Sequence, residues 1–227
     1  MDENGRNNPR NFTSVDCEFY TFDHKDAKKY NIIQKDYYYS CYNEVKKYDS
    51  KDIKYDIFFV GLDKGRLHKL IKLQKMLSMC KCLFYVVKQR SFKYSMEEEN
   101  YLSDKLMSYD DVMSIISESR CILELREEGQ SGITLRPIEA LYFRKKLITS
   151  DEDIKKYPWY NSDNIFILKD DTTSEEIERF LHKEYHQLPD SMYTMYNPEQ
   201  WLESFFLVKV GDMNAQASFC SYGISNY

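Results

Sequence analysis

The chain has little of what interrupts regular structure. Seven Gly and five Pro in 227 residues are too few for a chain disordered along most of its length. It has no long hydrophobic run. No stretch approaches the roughly 18 apolar residues of a spanning helix, and the polar opening MDENGRNNPRN gives no expectation of a secretory signal. It has no basic excess either: 32 Lys and Arg stand against 37 Asp and Glu, a formal net charge of −5. That balance argues against general nucleic-acid binding. Paired C-x-x-C spacing is also missing. Cys17, Cys41, Cys80, Cys82, Cys121 and Cys220 are scattered, which argues against zinc and reads as reduced thiols in a cytosolic protein.

Aromatic residues are plentiful, with 20 Tyr and 13 Phe, and short apolar runs recur at intervals. Tyr55–Val60, Leu83–Val87, Cys121–Leu125, Leu147–Thr149 and Ile165–Leu168 have strand length and unbroken apolar character. That pattern suits parallel strands covered on both faces. Between them lie segments with apolar residues at helical spacing: 67–79, 109–119, 135–143 and 173–183. Residues 18–22 have strand character, Asp23 is placed to cap a short helix ended by Asn31, and 199–207 reads as a last helix. The alternation predicts an α/β chain with a Rossmann-like, doubly wound parallel sheet.

Two loops carry candidate chemistry. Each follows an expected strand and opens a helix, the position where open α/β sheets bind ligands. In the first, Gly61 and Gly65 permit a tight turn, and Lys64 and Arg66 put positive charge beside a helix N-terminus, a combination that fits a diphosphate. The same spacing also fits an ordinary turn with solvated charges. In the second, the backbone N–H groups of Ser131, Gly132 and Thr134, the Thr134 hydroxyl and Arg136 are placed to hold phosphate oxygens. Glu139, one turn into the helix, has the two acceptors that adjacent ribose hydroxyls need; alone it would read as a solvated helix charge.

GQSGITLRPIEALYFRKKLIT also resembles the nucleotide-sugar-binding half of GT-B-fold glycosyltransferases. Their signature there is a glycine-containing loop, a helix with Glu-Ala-Leu, and a strand ending in a Thr-like residue. The matching positions are Gly129, Gln130, Ser131, Gly132, Thr134, Arg136, Glu139, Ala140, Leu141 and Thr149. The likeness is to bacterial proteins of lipopolysaccharide, capsule or exopolysaccharide synthesis. It continues through YDIFFVGLDKGRL and covers roughly Phe19 to Leu181.

The resemblance implies a GT-B donor half over residues 55–207. Residues 1–54 would be a lead-in and a remnant of the junction with the acceptor half, and 208–227 a tail without assigned structure. It implies hexosyl transfer from a nucleotide diphosphate sugar to a glycan or lipid-linked glycan of the bacterial surface, with no metal and no cofactor besides the donor itself. Glu139 would bind ribose, and Gly61, Lys64, Gly65, Arg66, Ser131, Gly132, Thr134 and Arg136 the diphosphate. The catalytic residues stay unassigned, because the acceptor site and any catalytic base belong to the other half, which a partner chain is one way to supply. The implied location is cytoplasmic, with peripheral attachment at the inner face of the membrane left open. The sequence departs from many retaining relatives at two places. Ser131 stands where they have a carboxylate, leaving retention or inversion open, and Arg144 stands where they have Gly.

Other features read as structure. Glu97, Glu98 and Glu99 suit a solvated face, and His182 and His186 share one helix face without a visible third ligand. Tyr37, Tyr38, Tyr39, Tyr157, Trp159 and Tyr160 suit packing at a sheet edge. Two functions compete with a transferase: a nucleotide-binding regulatory or partner module, and, ranked last, a response-regulator-like domain, for which Asp63 lacks the acidic pair before it.

Overall fold

A computed structural model describes residues 8–12, 14, 16–48, 52–127, 129 and 131–207. Cys220, Glu128 and Gln130 lie outside the described residues, as does the tail from 208 onward. The chain opens with a small parallel unit: β1 (Tyr20–Thr21), α1 (His24–Tyr30) and β2 (Ile33–Gln34). The main body follows as β3 (Tyr55–Leu62), α2 (Leu67–Met76), β4 (Cys82–Val87), α3 (Met96–Glu99), β5 (Leu102–Ser103), α4 (Tyr109–Ser117) and β6 (Ser119–Glu124). It continues with α5 (Leu135–Tyr142), β7 (Lys146–Thr149), β8 (Ile165–Ile167), α6 (Ser174–His182) and α7 (Pro198–Leu207).

The main sheet has the order β5-β4-β3-β6-β7-β8, and every neighbouring pair is parallel. All five apolar runs picked from the sequence are strands in it. Side chains alternate between faces, as strand geometry requires. Ile57, Phe59, Cys121, Leu123 and Ile148 pack with α2 and α6 on one face. Phe58, Ile122, Leu147 and Ile165 pack with α4 and α5 on the other. Each wholly buried Leu or Ile contributes about 1.5–3 kcal/mol relative to exposure. These two buried layers therefore outweigh any single polar contact. Cys121 sits at 0% exposure on β6, a small apolar filler, and the described cysteines are all free thiols.

Several boundaries differ from the expectations. Glu97, Glu98 and Glu99, read as a solvated face, lie in the short helix α3, opened by a capping box between Ser95 and Glu98. Helix α6 runs from Ser174 to His182, inside the expected 173–183, and Thr173 caps it, its hydroxyl accepting from the Glu176 N–H. Gly61 lies inside β3, paired with Val86, not in the turn. Its lack of a side chain leaves room for the Arg66 guanidinium, 3.3 Å from where a Cβ would stand. Arg144, where the family favours Gly, adopts φ 51 just beyond α5. The left-handed helix end is therefore kept without glycine, with the guanidinium 4.5 Å from the centre of the Tyr193 ring.

Of the aromatics expected to pack, Tyr39 and Trp159 are core residues, at 1% and 2% exposure. Tyr39 stacks on Tyr142 with ring centres 5.2 Å apart. Tyr37 and Tyr38 are instead exposed beside the first unit. Helix α7 returns to that unit. Trp201 donates its indole N–H to the Asp36 carbonyl at 2.8 Å and packs on Tyr38, and Phe205 meets Tyr20 edge-on.

The first unit docks on the main body through backbone contact. Asp23 caps α1 by accepting from the Lys25 and Asp26 N–H groups, and Asn31 ends the helix at φ 52. Gly132, in the loop after β6, has φ +80, and a Cβ there would lie 1.9 Å from the Phe22 carbonyl oxygen. Gly132→Ala is expected to destabilise the protein by about 1–3 kcal/mol through left-handed strain and to detach the first unit. Urea unfolding and amide exchange over α1 would measure both effects. Unchanged stability with unchanged protection of α1 would refute this docking.

Candidate functional site

The strand order reverses between β3 and β6: β4 and β5 follow β3 on one side, β7 and β8 follow β6 on the other. Both candidate loops leave the carboxyl ends of these two central strands. They therefore flank the crevice where doubly wound sheets take ligands.

In the first loop, Lys64 (φ 48) and Gly65 (φ 79) make the turn. It is pinned by Asp63, 2% exposed, whose two carboxylate oxygens accept from the Leu67 N–H at 2.7 Å and the Tyr94 hydroxyl at 3.0 Å. Asp63 thus places an internal negative charge at the N-terminus of α2. Arg66 was expected to face a diphosphate. Its guanidinium instead donates to the carbonyls of Leu62 (2.5 Å), Asp63 (3.1 Å) and Leu125 (2.6 Å), tying the two loops together. Burial lowers its pKa against the pull of Glu127 and Asp63. Lys64 Nζ pairs with Glu127 across the gap between the loops, with both side chains about 40% exposed.

The second loop is equally occupied. The carboxylate of Asp23 accepts from the Ser131 N–H at 2.7 Å and the Ser131 hydroxyl at 2.6 Å. Burial pushes the Asp23 pKa up, but hydrogen bonds from Ser131, Asp26 and Lys25 outweigh this and hold it below the ordinary carboxylate value. The Thr134 hydroxyl donates to Glu124, not to an open crevice. Arg136 pairs with Glu139 on the same helix.

Glu139 differs most from the sequence expectation of a reachable ribose acceptor. It is 0% exposed, and both oxygens are engaged, one by the Tyr109 hydroxyl at 2.7 Å and the other by Arg136. The Tyr39 hydroxyl lies 3.2 Å from that of Tyr109, so the network runs into the core. Burial raises the Glu139 pKa, opposed by Arg136 and Tyr109. Pro137, third in α5, has no N–H to leave unpaired in the first turn.

Glu124 escaped the sequence reading, because it ends an apolar strand and belongs to no spacing pattern. It is 5% exposed and accepts from both Thr134 and Thr149, the latter at 2.5 Å. It joins the ends of β6 and β7 to the start of α5. Next to it, Arg126 pairs with Asp151 and donates to the Gly132 carbonyl at 2.8 Å. The only legible signal was a lone acidic residue closing a buried strand.

Beside the second loop lies a cleft of about 750 Å³, lined by none of residues 61–66, Ser131, Gly132, Thr134, Arg136 or Glu139. Its walls include Phe22, Asp23, Lys25, Tyr37, Glu127, Gly129 and Trp201, so the first unit and α7 form one side and the second loop the other. Among the described residues, no group of three His, Cys, Asp or Glu is placed to hold a metal ion. No helix there is long and apolar enough to cross a membrane.

No protein-family model matches the chain, and no curated protein matches it in sequence. Among solved structures, AviGT4, a glycosyltransferase involved in avilamycin A biosynthesis, matches with a TM-score of 0.53 at 9% identity, over 83% of this chain and 61% of that one. In fold, the chain is similar to a GT-B glycosyltransferase, as its C-terminal-like half. WaaG, a glycosyltransferase involved in lipopolysaccharide biosynthesis, matches with a TM-score of 0.44 at 12% identity, over 89% of this chain and 61% of that one. The C-terminal domain of LpcC, a group 1 family glycosyl transferase from Francisella tularensis, gives 0.40 at 11% identity, over 75% and 95%. The GT-B-like chain spans 61% of the length of AviGT4.

The buried Glu124 makes stability depend on pH. Its folded pKa is raised above 4.5, chiefly by burial, with the two Thr hydroxyls opposing. The folded state then holds a proton that the unfolded chain has released, so stability falls as pH rises from about 4.5 through the raised value. Glu124→Gln cannot titrate. Its melting temperature minus that of the wild type is expected to rise across this window, by the equivalent of about 1.4 kcal/mol per pH unit. A difference that stays flat with pH would refute the assignment.

Proposed function

We propose that this GT-B-like chain binds a nucleotide diphosphate sugar at the β3/β6 crevice and serves its transfer to a bacterial surface polysaccharide or lipopolysaccharide. The observation that carries the reading is the convergence of two independently chosen loops, 61–66 and 129–136, on one edge of the sheet, either side of the strand-order reversal. Cations, helix N-termini and glycine turns meet there, the set of groups that receives a diphosphate leaving group and neutralises its developing charge.

In this reading Lys64 and Arg136 turn to the diphosphate, with the backbone of Gly65, Ser131, Gly132 and Thr134 around it. Arg66 and Gly61 hold the first loop in shape. Glu139 takes the ribose hydroxyls in the place that Arg136 vacates, so charge is conserved within the pocket. The acceptor, a glycan or lipid-linked glycan, meets the donor from the side of the cleft, and a partner chain is one way to supply the acceptor half. In this reading the protein works in the cytoplasm, with peripheral attachment at the inner face of the membrane left open.

The internal pairing of the Lys64, Arg66, Ser131, Thr134 and Arg136 side chains favours a second reading, a nucleotide-binding regulatory or partner module without transfer activity. The two part on whether bound donor sugar is transferred or hydrolysed.

A thermal-shift screen with UDP, GDP, CDP, ADP and their sugars tests the common core of both. At a ligand concentration near 100 times the dissociation constant, the expected stabilisation is about 2.7 kcal/mol. Arg136→Ala should weaken nucleoside diphosphate binding more than nucleoside binding, and the loss should shrink at high salt. No shift by any of these nucleotides at millimolar concentration would reject the proposal.

A further inference from the structure

The side chains of Lys64, Arg66, Ser131, Thr134 and Arg136, expected to hold phosphate, are already bound to oxygen of the protein, and in two cases that oxygen belongs to a carboxylate standing in the cleft. Asp23, from the first unit, holds both the N–H and the hydroxyl of Ser131. Glu127, from the second loop, holds Lys64 of the first. The other two carboxylates, Glu124 and Glu139, are buried beneath the loops, whereas Asp23 and Glu127 line the cleft wall. A phosphate oxygen presents the same acceptor chemistry to an N–H, a hydroxyl and an ammonium as these carboxylates do. Two ionised carboxylates in place would repel an incoming dianion.

We propose that Asp23 and Glu127 are internal stand-ins for phosphate, and that a nucleoside diphosphate enters by displacing them from Ser131 and Lys64. This rests on the donor-site reading above and adds its regulation. The first unit is the moving part. Asp23 caps α1, and Lys25 reaches the same loop twice, its N–H donating to the Ser131 hydroxyl at 3.1 Å and its Nζ to the Gly129 carbonyl at 3.4 Å. Releasing Asp23 therefore loosens the unit as a whole from the Gly132 turn, and α7, packed on Tyr20 and Tyr38, moves with it. The apparent affinity of the ligand is lowered by the fraction of molecules in which the carboxylates occupy its place.

The test is calorimetric titration of inorganic pyrophosphate, and of whichever nucleoside diphosphate gives the largest thermal shift. The forms compared are the wild-type chain, Asp23→Asn, Glu127→Gln, the double variant, and Asp26→Asn, which removes a charge from the same cleft wall. Asn retains helix-capping ability, so α1 persists in Asp23→Asn. The expected result is roughly tenfold tighter binding in Asp23→Asn and in Glu127→Gln, with a larger gain in the double variant, and little change in Asp26→Asn. If Asp23→Asn fails to fold, Glu127→Gln decides alone. Wild-type binding with equal or weaker binding in the variants would overturn the stand-in role and leave the donor site intact. An equal gain in Asp26→Asn would also overturn it, by showing that net charge alone matters. Binding of neither probe to any form would reject the donor site along with it.

Discussion

Charge at the carboxyl edge of a buried parallel sheet has to be matched from within. Helices on both faces exclude water from β3 and β6, and the polar ends of these strands meet where two helices begin. An unpaired buried charge costs far more than an imperfect pair. Each ionic group there has accordingly found an internal partner: Asp63 with Leu67 and Tyr94, Arg66 with three carbonyls, Glu124 with two threonines, Glu139 with Tyr109 and Arg136. These bonds join the two loops and bring α4 to α5, and the bonds of Asp23 to Ser131 seat the first unit. The crevice has its shape because the pairing leaves few other arrangements.

The pairs differ in how firmly they hold. Glu139 and Glu124 are wholly or nearly buried, and losing a partner would strand a charge in a low dielectric. Lys64 and Glu127 are each about 40% exposed, where an ion pair contributes roughly 0–1 kcal/mol and water replaces either partner readily. Asp23 lies between these extremes, with several hydrogen bonds but a position at the wall of the cleft. Resistance to separation follows this gradient: least for the exposed pair, more for the capped carboxylate, most for the buried network.

The cleft owes its depth to the ends of the described chain. Residues 20–38 form one rim and α7 braces them, through Trp201 bonded to the Asp36 carbonyl and Lys35 lying 3.9 Å from the centre of the Phe205 ring. Burial raises the pKa of Asp36, with Gln34 opposing, so this rim also carries a perturbed carboxyl beside exposed Tyr37 and Tyr38. Elsewhere the same logic is purely structural. Lys146, on β7, caps α6 by donating to the Phe180 and Lys183 carbonyls, both at 2.5 Å, and burial lowers its pKa.

By itself the sequence determined the five apolar strands, the helices of their crossovers and the edge where the loops open. Unbroken apolar runs marked the parallel strands, helical spacing marked their crossovers, and loops following strands were bound to open on one side, because parallel strands all point the same way. Local signals with a local cause also held, such as Asp23 before α1 and Asn31 after it. Only the tertiary structure decided what those loops touch. Asp23 and Ser131 are 108 positions apart, and Lys64 and Glu127 are 63 apart; no periodicity reports such pairs, since they arise from where packed layers bring the chain ends. For the same reason Glu139 read as a reachable ribose acceptor. One turn of helix shows its spacing, but only the packing of α4 and of Tyr39 against α5 shows that the face carrying Glu139 is buried, and burial is what binds its carboxylate to Tyr109 and Arg136.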